Sequence, residues 1–350
     1  MAISNFIPEL WNAAVQMPFE TALVFGQPSC VNREYEGQIR QMGDTVHVTS
    51  IADPTVRKYD KNTDLNTEDL ADEDTSMVVD QGDYFSFRVN DVDQVQAAGN
   101  FQSPATARAG HRMAEQIDAF LSGIMVADAT SKLGVESISK SSPGQAYDLL
   151  VELGVRLDKV DCPQAGRFVA VDPDFHGVLL RDDRFIRLDA SGSSDGLRNG
   201  IVGRAAGFDI LKSNKTPSGQ RTVTDGATTS ADKTVTSATA NFTAGDVGSA
   251  ISGTGIPAGT TIASVTSPTE VELSANATAT GAGVTLTIGT AGSRKLVAGI
   301  PDATSLAVQI TQTEALRAQN RFADVVRGLQ VYGGKVFAPD GLAAVTAVIS

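Results

Sequence analysis

Asp172, Asp174 and His176 alternate within one short stretch and offer carboxylate and imidazole groups, the kind of side chains that hold a divalent metal. Three such groups do not complete a site, so further ligands would have to come from elsewhere in the fold. Pro173 breaks the run and reads as a turn, which favours a solvated turn with a hydrogen-bonded histidine. His111 and Glu115 stand four apart in a helical stretch and could share one face. No HExxH is present, so the metalloprotease pattern fails and a surface hydrogen bond or a subunit salt bridge is the better reading. Gly200, Gly203 and Gly207 form neither GxGxxG nor a phosphate loop, and they suit tight strand bends. Cys30 and Cys162 lie far apart without a CxxC pair and read as reduced, partly buried thiols. No catalytic, cofactor or metal site is assigned, and the chain is expected not to be an enzyme. The alternative in that class is an acidic intracellular hydrolase that unites Asp172, Asp174 or His176 with a nucleophile.

The strongest concentration of charge lies elsewhere. Asp60, Asp64, Glu68, Asp69, Asp72, Glu73 and Asp74 crowd residues 60 to 74 against Lys61 alone. They lack the regular spacing of an EF-hand, and unpaired carboxylates are too costly to bury in a turn. Contact with basic residues across a subunit boundary suits them better, with Arg57, Lys58, Arg88 and Arg108 as candidate partners on neighbouring chains. Two strand-like runs flank this stretch, residues 44–51 and 84–89, and predict a hairpin with an acidic tip. Arms of about 16 residues would reach about 50 Å. A compact body of this length has a radius of gyration of about 20 Å. Such an arm is easiest to place on a neighbouring subunit. Trp11, the only tryptophan, sits in an amphipathic N-terminal stretch punctuated by Pro8 and Pro18, and reads as an anchor that docks on another surface.

With 350 residues, 41% of them hydrophobic, the chain can bury a substantial core and supports two or three domains. A formal net charge of −13 argues against a continuous nucleic-acid-binding surface, although an acidic wall can enclose nucleic acid without gripping it. The N-terminus lacks a basic and apolar leader, and no run of about 20 apolar residues follows. Soluble production inside a cell is the expectation, with no membrane partner.

The elements that must position these groups can be read from periodicity. Residues 105–129 predict a long helix, with Met113, Ile117, Phe120, Leu121 and Ile124 on one face and Arg108, Arg112, Glu115 and Asp118 largely elsewhere. A second helix begins near Pro143 and packs through Leu149, Leu150, Leu153, Leu157 and Val160. Residues 167–171 read as a strand, 175–180 as a short helix and 200–210 as strand pieces with glycine bends. Residues 222–291 are dominated by Thr, Ser, Ala and Gly, with strand-prone pieces at 233–236, 261–265, 270–273 and 284–288. They predict a small sandwich-like β domain inserted in a host. After it come a strand over 303–310, helical spacing from Gln312 to Gln330 with Leu316, Phe322, Val325, Val326 and Leu329, and a strand over 331–337. The class is α+β.

In this order the segments resemble the major capsid proteins of tailed bacteriophages, with the coat fold of the P22-like branch. The resemblance rests on GDTVHV at 43–48, VVDQGDYFSFRVNDVDQVQA at 78–97, AEQIDAFLSGIM at 114–125, GRFVAVDPDFHGVLL at 166–180, GIVGRAAGFDILKSNKTP at 200–217 and RFADVVRGLQVYGGKVFAPDGL at 321–342. It implies an N-terminal arm over 1–36 and an extended hairpin with supporting strands over 37–99. The spine helix and its connection, in a peripheral domain, would occupy 100–142, and a mainly axial domain 143–221. The inserted β domain would span 222–291, and 292–350 would return to the axial and peripheral core. It further implies hexamers and pentamers in an icosahedral shell around double-stranded DNA bound without sequence specificity, with portal and scaffolding proteins as partners. Assembly would take place in the host bacterial cytoplasm. A tail-tube or other virion structural protein is the alternative.

Overall fold

The computed structural model describes residues 23–35, 45–51, 58, 72–90, 102–186, 203–317 and 323–350. Two compact units share the chain. One is drawn from residues 33–113 and 305–337, the other from 22–32, 114–304 and 338–350.

In the first unit, β1 (Thr45–Ile51) pairs antiparallel with β2 (Asp72–Val78), from Thr45 opposite Val78 to Ile51 opposite Asp72. The second strand-like run, within β3 (Gln81–Asn90), belongs to a different sheet. The expected pairing of 44–51 with 84–89 is therefore corrected. The reason is local: β2 intervenes between the two runs and gives β1 the nearer partner. Asp72, Glu73 and Asp74 accordingly lie in a strand and not at a tip, since a ladder is built from backbone groups and tolerates charged side chains at its end.

The other sheet of this unit has the order β15 (Thr304–Arg317), β16 (Ala323–Val336), β3. β16 runs antiparallel to β3 from Ala323 opposite Asn90 to Tyr332 opposite Gln81. The helix expected between Gln312 and Gln330 is replaced by these two strands. Its apolar spacing was ambiguous, and Val325, Val326 and Val331 are β-branched residues that suit a half-buried pleat. Met77, Val79, Ala307 and Val331 form a small buried cluster, with Tyr35 and Phe337 packed against it.

Helix α1 (Gln102–Asp128) has 27 residues and spans about 40 Å. Met113, Ile117, Leu121 and Met125 are its buried stripe, while Phe120 and Ile124 are only half-buried. Asp118, expected off the apolar face, is buried.

The second unit is built on a six-stranded mixed sheet. Its order is β4 (Ser131–Ile138), β17 (Leu342–Ile349), β14 (Arg294–Gly299), β5 (Phe168–Val171), β7 (Phe208–Lys212), β6 (Arg204–Ala205). β5 is buried at all four positions, as a central strand covered on both faces should be. Helices α2 (Gly144–Asp158) and α3 (Pro173–Leu179) supply Leu149, Leu150, Leu153, Leu157, Phe175, Val178 and Leu179 to one core with Val169, Val171, Phe208, Leu296 and Val345. Val160, expected on the packing side of the second helix, falls in the turn after it and is exposed. A further short helix, α4, covers Asp183–Ile186.

Between β7 and β14 the chain makes a separate β module. Its sheet has the order β10 (Ile251–Ser252), β13 (Gly281–Ile288), β8 (Arg221–Thr228), β9 (Thr234–Thr236), β12 (Glu270–Leu273), β11 (Ile262–Ser267). The two outer strands then meet. Ala250 bridges Thr261, Ile251 N donates to Thr260 O at 3.0 Å, and Ile262 N donates to Ser249 O at 2.9 Å. The sandwich expectation is thus corrected to one sheet closed into a small barrel, which leaves no free edge along that seam. Val235, Phe242, Ile251, Ile262, Val271, Leu273, Leu286 and Ile288 fill it. At its base the chain leaves and returns side by side: Gly219 N donates to Ser293 O, and Lys295 N to Pro217 O, both at 2.9 Å.

Two substitutions test this packing. Leu150→Ala removes a fully buried side chain from the main sheet's core and is expected to cost about 2–5 kcal/mol in urea denaturation. Gly289→Ala is expected to lower the melting temperature as well, because φ is +91° there and a Cβ would overlap the Gly219 carbonyl at the base of the module. An unchanged melt for Gly289→Ala would contradict this account of the base.

Candidate functional site and assembly surfaces

The residues that looked most like chemistry are used structurally. Asp172 is the N-cap of α3, and its Oδ2 accepts from Asp174 N at 3.1 Å. Its Oδ1 lies 3.5 Å from Thr216 Oγ1 and 3.6 Å from Arg294 Nε. Asp174 is exposed and His176 half-buried on the same short helix. Burial, and then the charge of Lys212, push the His176 imidazole down from its usual value and favour its neutral form. Among the described residues no group of three or more His, Cys, Asp or Glu is placed to hold a metal. Burial also pushes the Cys30 thiol up to about 12 and raises that of Cys162, so neither is poised as a thiolate nucleophile. Glu115 pairs with Lys215 at 3.3 Å. No helix of the described residues is long and apolar enough to cross a membrane.

Of the candidate contact residues, Lys58, Arg88 and Arg108 are exposed. Asp72, Glu73 and Asp74 occupy β2 opposite Ile51, Ser50 and Thr49. Trp11, Arg57, Asp60, Asp64, Glu68 and Asp69 lie outside the described residues.

A surface not singled out from the sequence lies on the three-stranded sheet. Tyr84 on β3 is 78% exposed and sits directly opposite Leu329 on β16, itself 40% exposed. Leu316 on β15 is 45% exposed, and Arg327 Nε donates to Glu314 Oε2 at 2.9 Å. Alternation of exposure through residues 81–88 puts Tyr84, Ser86 and Arg88 on one face, and this pattern was the available signal. The opposite face is filled by Phe85 and Phe87, whose rings lie 6.0 Å apart, with the Phe85 ring against Gly328.

Two buried carboxylates organise the second unit. Asp118 on α1 accepts from three consecutive backbone amides, Val24 at 2.9 Å, Phe25 at 3.1 Å and Gly26 at 3.2 Å. This ties the turn containing the buried Leu23, Phe25, Cys30 and Val31 to the helix. Burial raises the Asp118 pKa, against the pull of the three amides and of Lys215. From sequence, Asp118 read as one more polar residue on a helix.

Asp246 joins the β module to its host. Arg221 of β8 grips it with two parallel hydrogen bonds, Nη1 to Oδ1 at 2.7 Å and Nη2 to Oδ2 at 2.9 Å. Thr243 N donates to Oδ2 at 2.8 Å, and Lys295 Nζ of β14 stands 3.8 Å from Oδ1. The Asp246 side chain is only 2% exposed. Its burial alone would raise the pKa, but the Arg221 hydrogen bonds and charge, the Thr243 amide and Lys295 outweigh this and hold it below the usual carboxylate range. The three partners are separated by up to 74 positions, so no local motif could reveal them.

No protein-family model matches the chain, and no curated protein matches it. Solved structures do. A structure from Mycobacterium phage Che8 is 26% identical, with 93% of this chain and 90% of that chain covered and a TM-score of 0.62. The capsid structure of cyanophage P-SCSP1u is 15% identical, with 89% and 85% covered and a TM-score of 0.56. The mature capsid of bacteriophage PhiM1 is 15% identical, with 87% and 82% covered and a TM-score of 0.51. The fold is that of phage capsid structures, mixed α and β as expected. They do not single out the P22-like branch.

Asp118→Ala leaves three buried amides without their acceptor and is expected to destabilise the second unit by about 3 kcal/mol or more, measured by urea denaturation. The Asp246 pKa is depressed, so its contribution is present above the unfolded carboxyl value of about 4 and is lost as pH falls through its lower folded value. Thermal melts between pH 6 and pH 3 should therefore show acid destabilisation that is smaller in Asp246→Asn. An identical pH profile in that variant would remove Asp246 as the cause.

Proposed function

We propose that this chain, which carries the phage capsid fold, is the major capsid protein of a tailed bacteriophage. Copies of it form the hexamers and pentamers of an icosahedral shell that encloses double-stranded DNA. The observation that carries the reading is the fold shared with the P-SCSP1u and PhiM1 capsid structures, supported by 26% identity to a phage Che8 structure over nine-tenths of both chains. A portal and a scaffolding protein are the partners this function requires, and assembly belongs in the host bacterial cytoplasm before release in the virion.

The physical case is one of many weak contacts made cooperative by closure. The acidic residues 60–74, the exposed Lys58, Arg88 and Arg108, and Trp11 would set register between neighbouring copies, while the net charge of −13 keeps free subunits apart and leaves enclosed DNA ungripped. In this reading the six-stranded sheet with α2 and α3 serves as the axial domain. The three-stranded sheet, the paired β1 and β2 and the spine helix α1 serve as the peripheral part, and the β module is a surface addition.

Electron microscopy of the chain produced with its cognate scaffold is expected to show closed rounded shells. Persistent monomers, or helical tubes of uniform width, would overturn the proposal, and tubes would favour a tail protein. Reversing charge at Arg88 and Arg108 together should lower the assembled fraction while shifting the subunit's own stability by no more than about 0.5 kcal/mol per site.

A further inference from the structure

A cavity of about 370 Å³ lies at the base of the β module, where α1, β4, β14 and β17 of the host meet residues 217–245. Its volume falls in the range of small-molecule sites, about 300–1,000 Å³. Val126, Leu133, Ala240 and Val345 provide apolar wall. Lys132, Arg221 and Lys295 also line it, and among the described residues no carboxylate does. In a chain of net charge −13, three cations around one partly apolar cavity run against the overall balance.

Asp128 acts on Lys132, and Asp246 offsets a further part of this charge. Asp246 takes both terminal nitrogens of Arg221 and stands near Lys295, so two acids stand against three cations and one positive charge is left over. Burial lowers the pKa of both Lys132 and Lys295, against the pull of Asp128 and Asp246 on Lys132 and of Asp246 on Lys295.

We propose that this cavity binds a small amphipathic anion, with an apolar body against the α1 and β17 walls and its carboxylate, or an equivalent anionic head, among Lys132, Arg221 and Lys295. The anion balances the one positive charge that Asp128 and Asp246 leave over. Its apolar body displaces water from a surface that cannot hydrogen-bond it. Because the walls come from both host and module, bound ligand also stiffens the junction that Asp246 holds. Every residue named for the site comes from one chain.

Isothermal titration calorimetry of the full-length, unassembled chain with sodium octanoate and with 1-octanol tests the site. Octanoate is expected to bind one per chain and more tightly than 1-octanol. Lys132→Gln should weaken octanoate by about tenfold or more while changing 1-octanol little. Gly123 lines the cavity, and a Cβ added there would meet nothing within 4 Å, so Gly123→Leu projects into the space and should abolish binding of both. A melting temperature at or above that of the parent chain would show that Gly123→Leu remains folded. Equal affinity for octanoate and 1-octanol, or octanoate binding that survives both substitutions, overturns the proposal.

Discussion

Strands β16 and β17, from the last part of the chain, are internal to both host sheets, and the need to satisfy their backbone groups holds the architecture. β16 lies between β15 and β3, and β17 lies between β4 and β14. Every interior strand must find partners on both sides for its amides and carbonyls. Here those partners are distant: β17 pairs with β4 about 210 positions upstream, and β16 with β3 about 240. Neither sheet can close until strands more than 200 positions apart have met.

The β module obeys the same constraint without drawing on the host. Its strands close on themselves, so it offers no seam for the host sheets to pair with. Only the base remains to be fixed, and there the two chain crossings hydrogen-bond to each other while Arg221 and Lys295 converge on Asp246. A buried carboxylate held by a two-pronged guanidinium gives orientation as well as attraction. The same cluster leaves positive charge facing the cavity beside it, so the device that fixes the module also shapes a place for an anion.

The sequence was most legible where period and composition agreed. The long helix, the strand before Asp172, the short helix after it and most strands of the Thr-rich module all carried local patterns. Residues 312–330 misled because Leu316, Val325, Val326 and Leu329 fit a helical stripe nearly as well as a strand. Their partner, β3, lies far upstream and lends no signal to that window. Asp118 was unreadable for a related reason, since its three amide donors come from residues 24–26.

By itself, the sequence determined that the chain is acidic, that it mixes α and β elements, that a Thr-rich insert divides a host, and that no catalytic motif is present. Those properties are local sums or short-range periods, and each can be counted in one window. The tertiary structure decided which strands pair, that the module closes as a barrel, that Asp118 and Asp246 are buried anchors, and that Lys132, Arg221 and Lys295 surround one cavity. These depend on hydrogen bonds and burial between residues tens to hundreds of positions apart, where the energy belongs to the contact and not to either segment alone.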